Sequence, residues 1–141
     1  MTPKPNPTPV VTCFLQSEGK ILLLKRSQQV SSYQGKWAGV SGYIESTPDQ
    51  QAFTEIQEET GLSPTDVTLV KKGKTVLIVD PETGSQWLVH PYLFYVNVKS
   101  KIKIDWEHKT GRWVKPEEIA DYATVPGLDK ALAAVIDNTT D

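Results

Sequence analysis

Three glutamates in the stretch Glu55-Ile56-Gln57-Glu58-Glu59 constrain this chain more than any other feature. On a helix they stand at i, i+3 and i+4 and share one face. Like charges at that spacing repel by roughly a few tenths of a kcal/mol per pair. A fold that keeps all three together therefore has a use for a cation. Oxygen donors alone suit a hard divalent ion, Mg²⁺ above all, which takes a substrate phosphate as a further ligand. The competing reading is a solvated acidic helix face, the common fate of a bare Glu-x-x-Glu-Glu. The flanking residues decide between the two.

Those residues predict a well-delimited helix. Thr47 is an N-cap, and Gln50 three residues on completes a capping-box pattern. Pro48 fits the first helical position, where its missing N–H is not needed. Asp49 places a negative charge at the positive end of the helix dipole. Gly61 stands where a left-handed C-cap belongs. Ala52, Phe53, Ile56 and Thr60 form one apolar stripe, with the carboxylates about a third of a turn aside. The acids are thus expected along a cleft rather than in a core.

Gly42-Tyr43-Ile44-Glu45 before the helix and Glu55-Ile56-Gln57-Glu58-Glu59-Thr60-Gly61-Leu62 at its end resemble the Nudix box, G-x5-E-x7-R-E-U-x-E-E-x-G-U with U aliphatic. Glu55, Ile56, Glu58, Glu59, Gly61 and Leu62 match it. The lead-in from Gly35 to Gly42 is similar to the strand that enters the box, and weaker similarity runs from Val10 to about Ala134. Three departures stand out. The loop after Gly42 is two residues short, the loop glutamate is replaced by the Ser46-Thr47 region, and Thr54 occupies the arginine position. In the family those two side chains support one another across the loop. Losing one strands a charge, whereas losing both together is nearly neutral. The pattern reads as a coupled loss in a divergent subfamily, with Glu45 the nearest stand-in for the missing loop acid.

The resemblance implies an α+β fold, a Nudix-like α/β/α sandwich with a mixed β-sheet. It implies Mg²⁺-dependent hydrolysis of a pyrophosphate bond in a nucleoside diphosphate linked to another moiety, with Mn²⁺ as an alternative ion. Glu55, Glu58 and Glu59 are then metal ligands, joined by the backbone carbonyl of Gly42. Glu55 or a loop acid serves as general base, and the sequence leaves that choice open. Glu107 is a catalytic candidate as the late loop acid. Arg26, ending a strand, is a phosphate-binding candidate, since its planar fork suits bidentate contact; Lys25 and Lys36 are weaker versions. Trp37 and Tyr33 are candidates for contact with a base, in company with Trp87, Trp106 and Trp113. His108 is expected at the surface, with proton transfer as its functional alternative, and His90 is expected to be structural. The rival to an enzyme is a non-catalytic Nudix-like module that binds a nucleotide or a partner protein.

Size and charge bound the rest. A chain of 141 residues makes one domain with a substantial core. Lys+Arg 15 against Asp+Glu 17 gives a net charge of −2, which argues against bulk nucleic-acid binding but not against a small phosphorylated ligand. A lone cysteine, Cys13, in an apolar run reads as a buried small hydrophobe of a reducing compartment. With no apolar run near 18 residues, a cytoplasmic protein without membrane contact is expected. Family relatives commonly pair, so a homodimer is the further partner allowed. Residues 1–9 read as a proline-rich extended or disordered tail and 10–138 as the domain. Strands are expected at Val10 to Leu15, Ile21 to Arg26, Lys36 to Ile44, Asp66 to Lys72, Lys74 to Val79, Gln86 to Val98 and Gly111 to Val114. Short helices are expected from Pro116 and from Leu128 to Ile136.

Overall fold

Strand β1 (Thr8–Ser17) turns at Glu18-Gly19 into β2 (Lys20–Arg26), and these two apolar segments form the middle of the molecule. They belong to a computed structural model that describes residues 6–105 and 107–136. Next come β3 (Trp37–Ala38), β4 (Val40–Tyr43) and helix α1 (Pro48–Thr60). A 3₁₀ turn at Pro64–Asp66 leads to β5 (Val67–Lys72), β6 (Val76–Val79) and β7 (Gln86–Val96). The chain ends in β8 (His108–Val114), a 3₁₀ segment (Pro116–Asp121) and helix α2 (Leu128–Ala133).

The sheet is mixed, in the order β3-β2-β1-β7-β5, with β4 also on β1, β6 on β7 and β8 on β2. β1 runs parallel to β7 from Thr8↔Trp87 to Gln16↔Tyr95 and antiparallel to β4 from Val10↔Tyr43 to Cys13↔Val40. Alternation along the central strands sends side chains to two opposite cores. Val11, Cys13, Leu15, Leu22, Leu24, Tyr92 and Phe94 pack with Ala52 and Ile56 of α1. Phe14, Ile21, Leu23 and Leu93 pack with Ile119 and with Leu128, Leu132 and Val135 of the C-terminal segment. Both faces are covered, which explains the unbroken apolar run Ile21-Leu22-Leu23-Leu24 within β2. The α/β/α sandwich with a mixed sheet is therefore present.

The strand expected from Val10 begins at Thr8 instead, because β7 offers a parallel partner to Thr8 and Pro9. Residues 1–5 and 137–138 of the expected tail and domain lie outside the described residues. The terminal helix stops at Ala133, three residues short of Ile136. No described helix is long and apolar enough to cross a membrane.

Candidate metal and phosphate site

The capped ends of α1 set the position of its acids. The Thr47 hydroxyl accepts from the Gln50 N–H at 3.2 Å, and Gly61 at φ 77 closes the helix with its N–H donated to the Gln57 carbonyl. Ala52 and Ile56, 0% and 1% exposed, fix the rotation of the helix against the sheet, burial of Ile56 contributing about 1.5–3 kcal/mol and that of the Ala52 methyl about 0.8 kcal/mol. That rotation leaves Glu58 exposed and Glu55 half-buried and turns Glu59 inward, where it is 2% exposed. The expectation that all three line the open face needs correction at Glu59. It lies three residues from the buried Ile56, so it follows the apolar stripe beneath the rim.

A cleft of about 890 Å³ opens beside α1. Arg26, Tyr33, Gly42, Glu45, Glu55, Glu58 and Glu107 line it together with apolar Val30, Ile78, Trp87 and Val89. Arg26 Nε donates to the Ser32 carbonyl at 3.0 Å, holding the loop that follows β2. The Glu107 carbonyl accepts from the Ser27 N–H at 2.8 Å, so the late loop is tied to the end of the same strand. Burial raises the Glu107 carboxyl above its ordinary range, reinforced by Asp105 and Glu58 and opposed by Arg26.

Glu55 is gripped from two sides. A Cβ at Gly42 would overlap its carboxyl group, so Glu55 keeps this position only beside a glycine and would swing aside for any larger residue. On the other side Gln51, 6% exposed, donates its amide N–H to Glu55 Oε2 at 2.8 Å. The Gln51 carbonyl oxygen in turn accepts from the Glu45 N–H at 3.0 Å. Burial raises the Glu55 pKa first of all, the Gln51 bond and then the neighbouring Glu59 carboxyl oppose, and Glu58 and Glu107 add to the rise.

Beneath the rim, Glu59 meets His108. Its Oε1 lies 3.5 Å from His108 Nε2, while His108 Nδ1 lies 3.2 Å from Asp105 Oδ1. The Asp105 carboxylate is an acceptor, so Nδ1 carries the proton and Nε2 turns a lone pair toward Glu59. Burial lowers the His108 pKa despite Asp105 and raises that of Glu59 well above normal, with Glu55, Glu107 and Asp105 adding to the latter. Both shifts disfavour a charged Glu59–His108 pair. Glu59 Oε2 is buried with no hydrogen-bond partner among the described residues.

His108, expected at the surface, is 6% exposed; it opens β8, whose pairing with β2 (Arg26↔His108) carries it inward. Tyr33 lines the cleft at φ 51, with its hydroxyl donated to Asp80 Oδ2 at 2.6 Å and its ring edge-on to Trp87 at 6.0 Å. Burial, then the Asp80 bond, pushes its phenol up to about 12. Trp37 does not join the cleft lining. It packs edge-on against Tyr122 at 5.3 Å and under Lys25 at 5.9 Å, because β3 turns it to the α2 face of the sheet. Lys36 is exposed and His90 half-buried within β7. Trp113 packs beside the α1 core under Lys99, and Trp106 lies outside the described residues. Gln51 and Asp105 were not singled out in the sequence; the only local sign was the i, i+4 spacing of Gln51 and Glu55.

A mixed sheet between helical layers, with an acid-lined cleft at the end of the loop-helix segment, defines a Nudix-fold domain. A family model described as "NUDIX domain" matches residues 6–135, and the chain belongs to that family, as a hydrolase. It is 27% identical over 120 residues to the nucleoside triphosphatase NudI of Escherichia coli O139:H28 (strain E24377A / ETEC), covering 80% of this chain and 85% of that protein. Solved structures with the same fold include the MutT protein from Methanosarcina mazei Go1, at TM-score 0.73 and 22% identity over 93% of this chain and 94% of that one. An Ap4A hydrolase from C. elegans, solved as a binary complex, gives 0.70 and 18% over 89% and 92%.

Family membership implies a divalent cation, and the residues fit one. Donor atoms of Glu59, Glu107 and His108 lie within 4.8 Å of one another, and the orphaned Glu59 Oε2 lacks any donor. Glu55 and Glu58 supply further hard oxygens at the adjoining cleft.

Proposed function

We propose that this chain hydrolyses a pyrophosphate bond in a nucleotide derivative with Mg²⁺, Mn²⁺ serving as substitute, and that nucleoside triphosphates are the first substrates to test. The observation that carries this reading is the buried, donorless Oε2 of Glu59, whose carboxyl group lies within 4.8 Å of the Glu107 carboxyl on the wall of a cleft that Glu55 and Glu58 also line. Glu59 and Glu107, whose donor atoms already converge beside His108, would hold the cation together with Glu55, Glu58 and the Gly42 carbonyl; the ion when bound neutralises phosphate oxygens and acidifies water. Arg26 supplies a fixed cationic fork for a phosphate. Glu55 Oε1, the carboxyl oxygen that Gln51 leaves free, is the candidate acceptor for the proton of the attacking water. Glu107, the other raised carboxyl on the cleft wall, is the alternative base. The ring of Tyr33 is a contact for the nucleoside, while its hydroxyl stays with Asp80. The name of the E. coli relative supports triphosphates as the starting class.

The experiment is a screen of phosphate and pyrophosphate release over nucleoside triphosphates, dinucleoside polyphosphates and ADP-ribose, with and without Mg²⁺. Release that appears only with the metal supports the reading. Equal release in EDTA, or none with any compound, contradicts it.

A further inference from the structure

Nudix-box resemblance leaves this chain without a loop glutamate and without the arginine before Glu55, yet Glu55 is not loose. Gln51 occupies the gap. It is 6% exposed, a burial that glutamine accepts only when its amide is bonded on both sides. One bond ties the shortened loop at the Glu45 N–H, at 3.0 Å, and the other ties the Glu55 carboxylate at 2.8 Å. The carbonyl end can only accept and the amide end can only donate, so the order loop, Gln51, Glu55 is fixed by chemistry. In this two-residue-shorter loop the Glu45 N–H lies within reach of Gln51, which sits one helical turn before Glu55.

We propose that Gln51 is a positioning residue: a neutral bridge that does in this short-loop chain what a charged loop pair does in the longer box, holding Glu55 toward Gly42 and the cation site. This rests on the reading of Glu55 as part of that site. Outer partners that orient metal-binding carboxylates typically change metal affinity by about 10–100-fold when removed. Neutrality matters as well. An arginine without its loop partner would be a half-paired charge, whereas glutamine has both ends of its amide satisfied here.

The test is Mn²⁺ binding to the full chain, followed by electron paramagnetic resonance of the free ion, with the thermal midpoint measured in parallel. Gln51→Met keeps the volume and removes both bonds. It should weaken Mn²⁺ about 10–100-fold while the midpoint moves little. Gln51→Asn keeps an amide one methylene too short to span both partners and should fall between the two proteins; it decides the matter if the Met variant does not fold. Gln50→Met, on the exposed side of the same turn, should match the wild type. In turnover with the best nucleotide of the screen, the loss should fall on kcat with KM within about twofold, because Glu55 acts at the reacting centre. Wild-type binding with Gln51→Met and Gln51→Asn both unchanged overturns the role of Gln51 and leaves the cation site standing. No Mn²⁺ binding by the wild type overturns the site and this inference together.

Discussion

Two little-exposed carboxylates in this molecule differ in how deep they lie and in what partners them. Asp66 is 7% exposed and Glu59 2%. Asp66 Oδ2 accepts from the N–H and the hydroxyl of Ser63, both at 2.9 Å, and Oδ1 accepts from Lys101 at 3.1 Å. These bonds, the Ser63 N–H foremost, hold Asp66 below the usual carboxylate range. Glu59 has an imidazole lone pair on one oxygen, no donor on the other and the Glu55 carboxyl beside it, and burial first of all pushes it the opposite way. Asp66 is finished as folded: it caps the 3₁₀ turn that leads into β5. Glu59 is incomplete until a proton or a cation joins it.

The largest effect that would break this contrast is catalytic. Glu58→Gln with Glu59→Gln should lower Mg²⁺-dependent release by at least about 10²–10³-fold, in line with losing charge stabilisation at a reacting centre. The fold should survive, since the amide introduced by Glu59→Gln can donate to His108 Nε2 where the carboxylate could not. Steady-state assays with circular dichroism check both halves, and unaltered turnover rejects the assignment.

The next effect is the sign of pH dependence. Glu59 binds its proton more tightly folded than unfolded, where its pKa is 4.5. Unfolding above that pH therefore releases a proton, and stability falls as pH rises through the raised folded value. Glu55 and Glu107 act in the same direction. Asp66 has the reverse sign: its contribution is present above its unfolded value of 3.8 and disappears as pH falls through the lowered folded one. Between pH 5 and 8 the lowered His108 and His90 push stability upward with pH in every variant, while Glu55 and Glu107 keep their share of the decline. Urea midpoints of the metal-free wild type should therefore fall more with rising pH, relative to those of Glu59→Gln measured alongside. Asp66→Asn should keep the wild-type slope while lowering the midpoint throughout that range. Equal slopes in wild type and Glu59→Gln would remove the distinction between the two carboxylates.

A smaller effect sharpens it. Asp80 is a second satisfied carboxylate, holding the Tyr33 hydroxyl at 2.6 Å and the Glu82 N–H at 2.9 Å. Asp80→Asn should bring the Tyr33 phenol part of the way down from about 12 toward 10, as burial is the larger cause and stays. Ultraviolet titration against Tyr33→Phe isolates that group.

The features legible in the sequence are those that chemistry writes locally. Thr47, Pro48 and Gly61 delimit α1 because caps and proline act within one turn, and the spacing of Glu55, Glu58 and Glu59 follows from helical pitch. The apolar run of β2 announced a central strand because both of its faces are covered. What stayed hidden depends on partners distant in the chain. Thr8 extends β1 only because Trp87 lies alongside. His108 is buried only because β8 pairs with β2. Trp37, a candidate from residue type alone, faces Tyr122 rather than the cleft because of where β3 lies. Gln51 carries no motif; its bridging bonds are visible only once the short loop is folded over it.

The central claim is that Glu59 and its neighbours are completed by a divalent cation, and a Mg²⁺ titration of folding stability at pH 8 tests it most directly. Urea unfolding of the wild type should shift upward with Mg²⁺ as the logarithm of its concentration, by about 2.7 kcal/mol at a hundredfold excess over Kd, and Glu59→Gln should lose most of that slope. Wild-type stability that ignores Mg²⁺, or a Glu59→Gln protein that responds just as strongly, would contradict it.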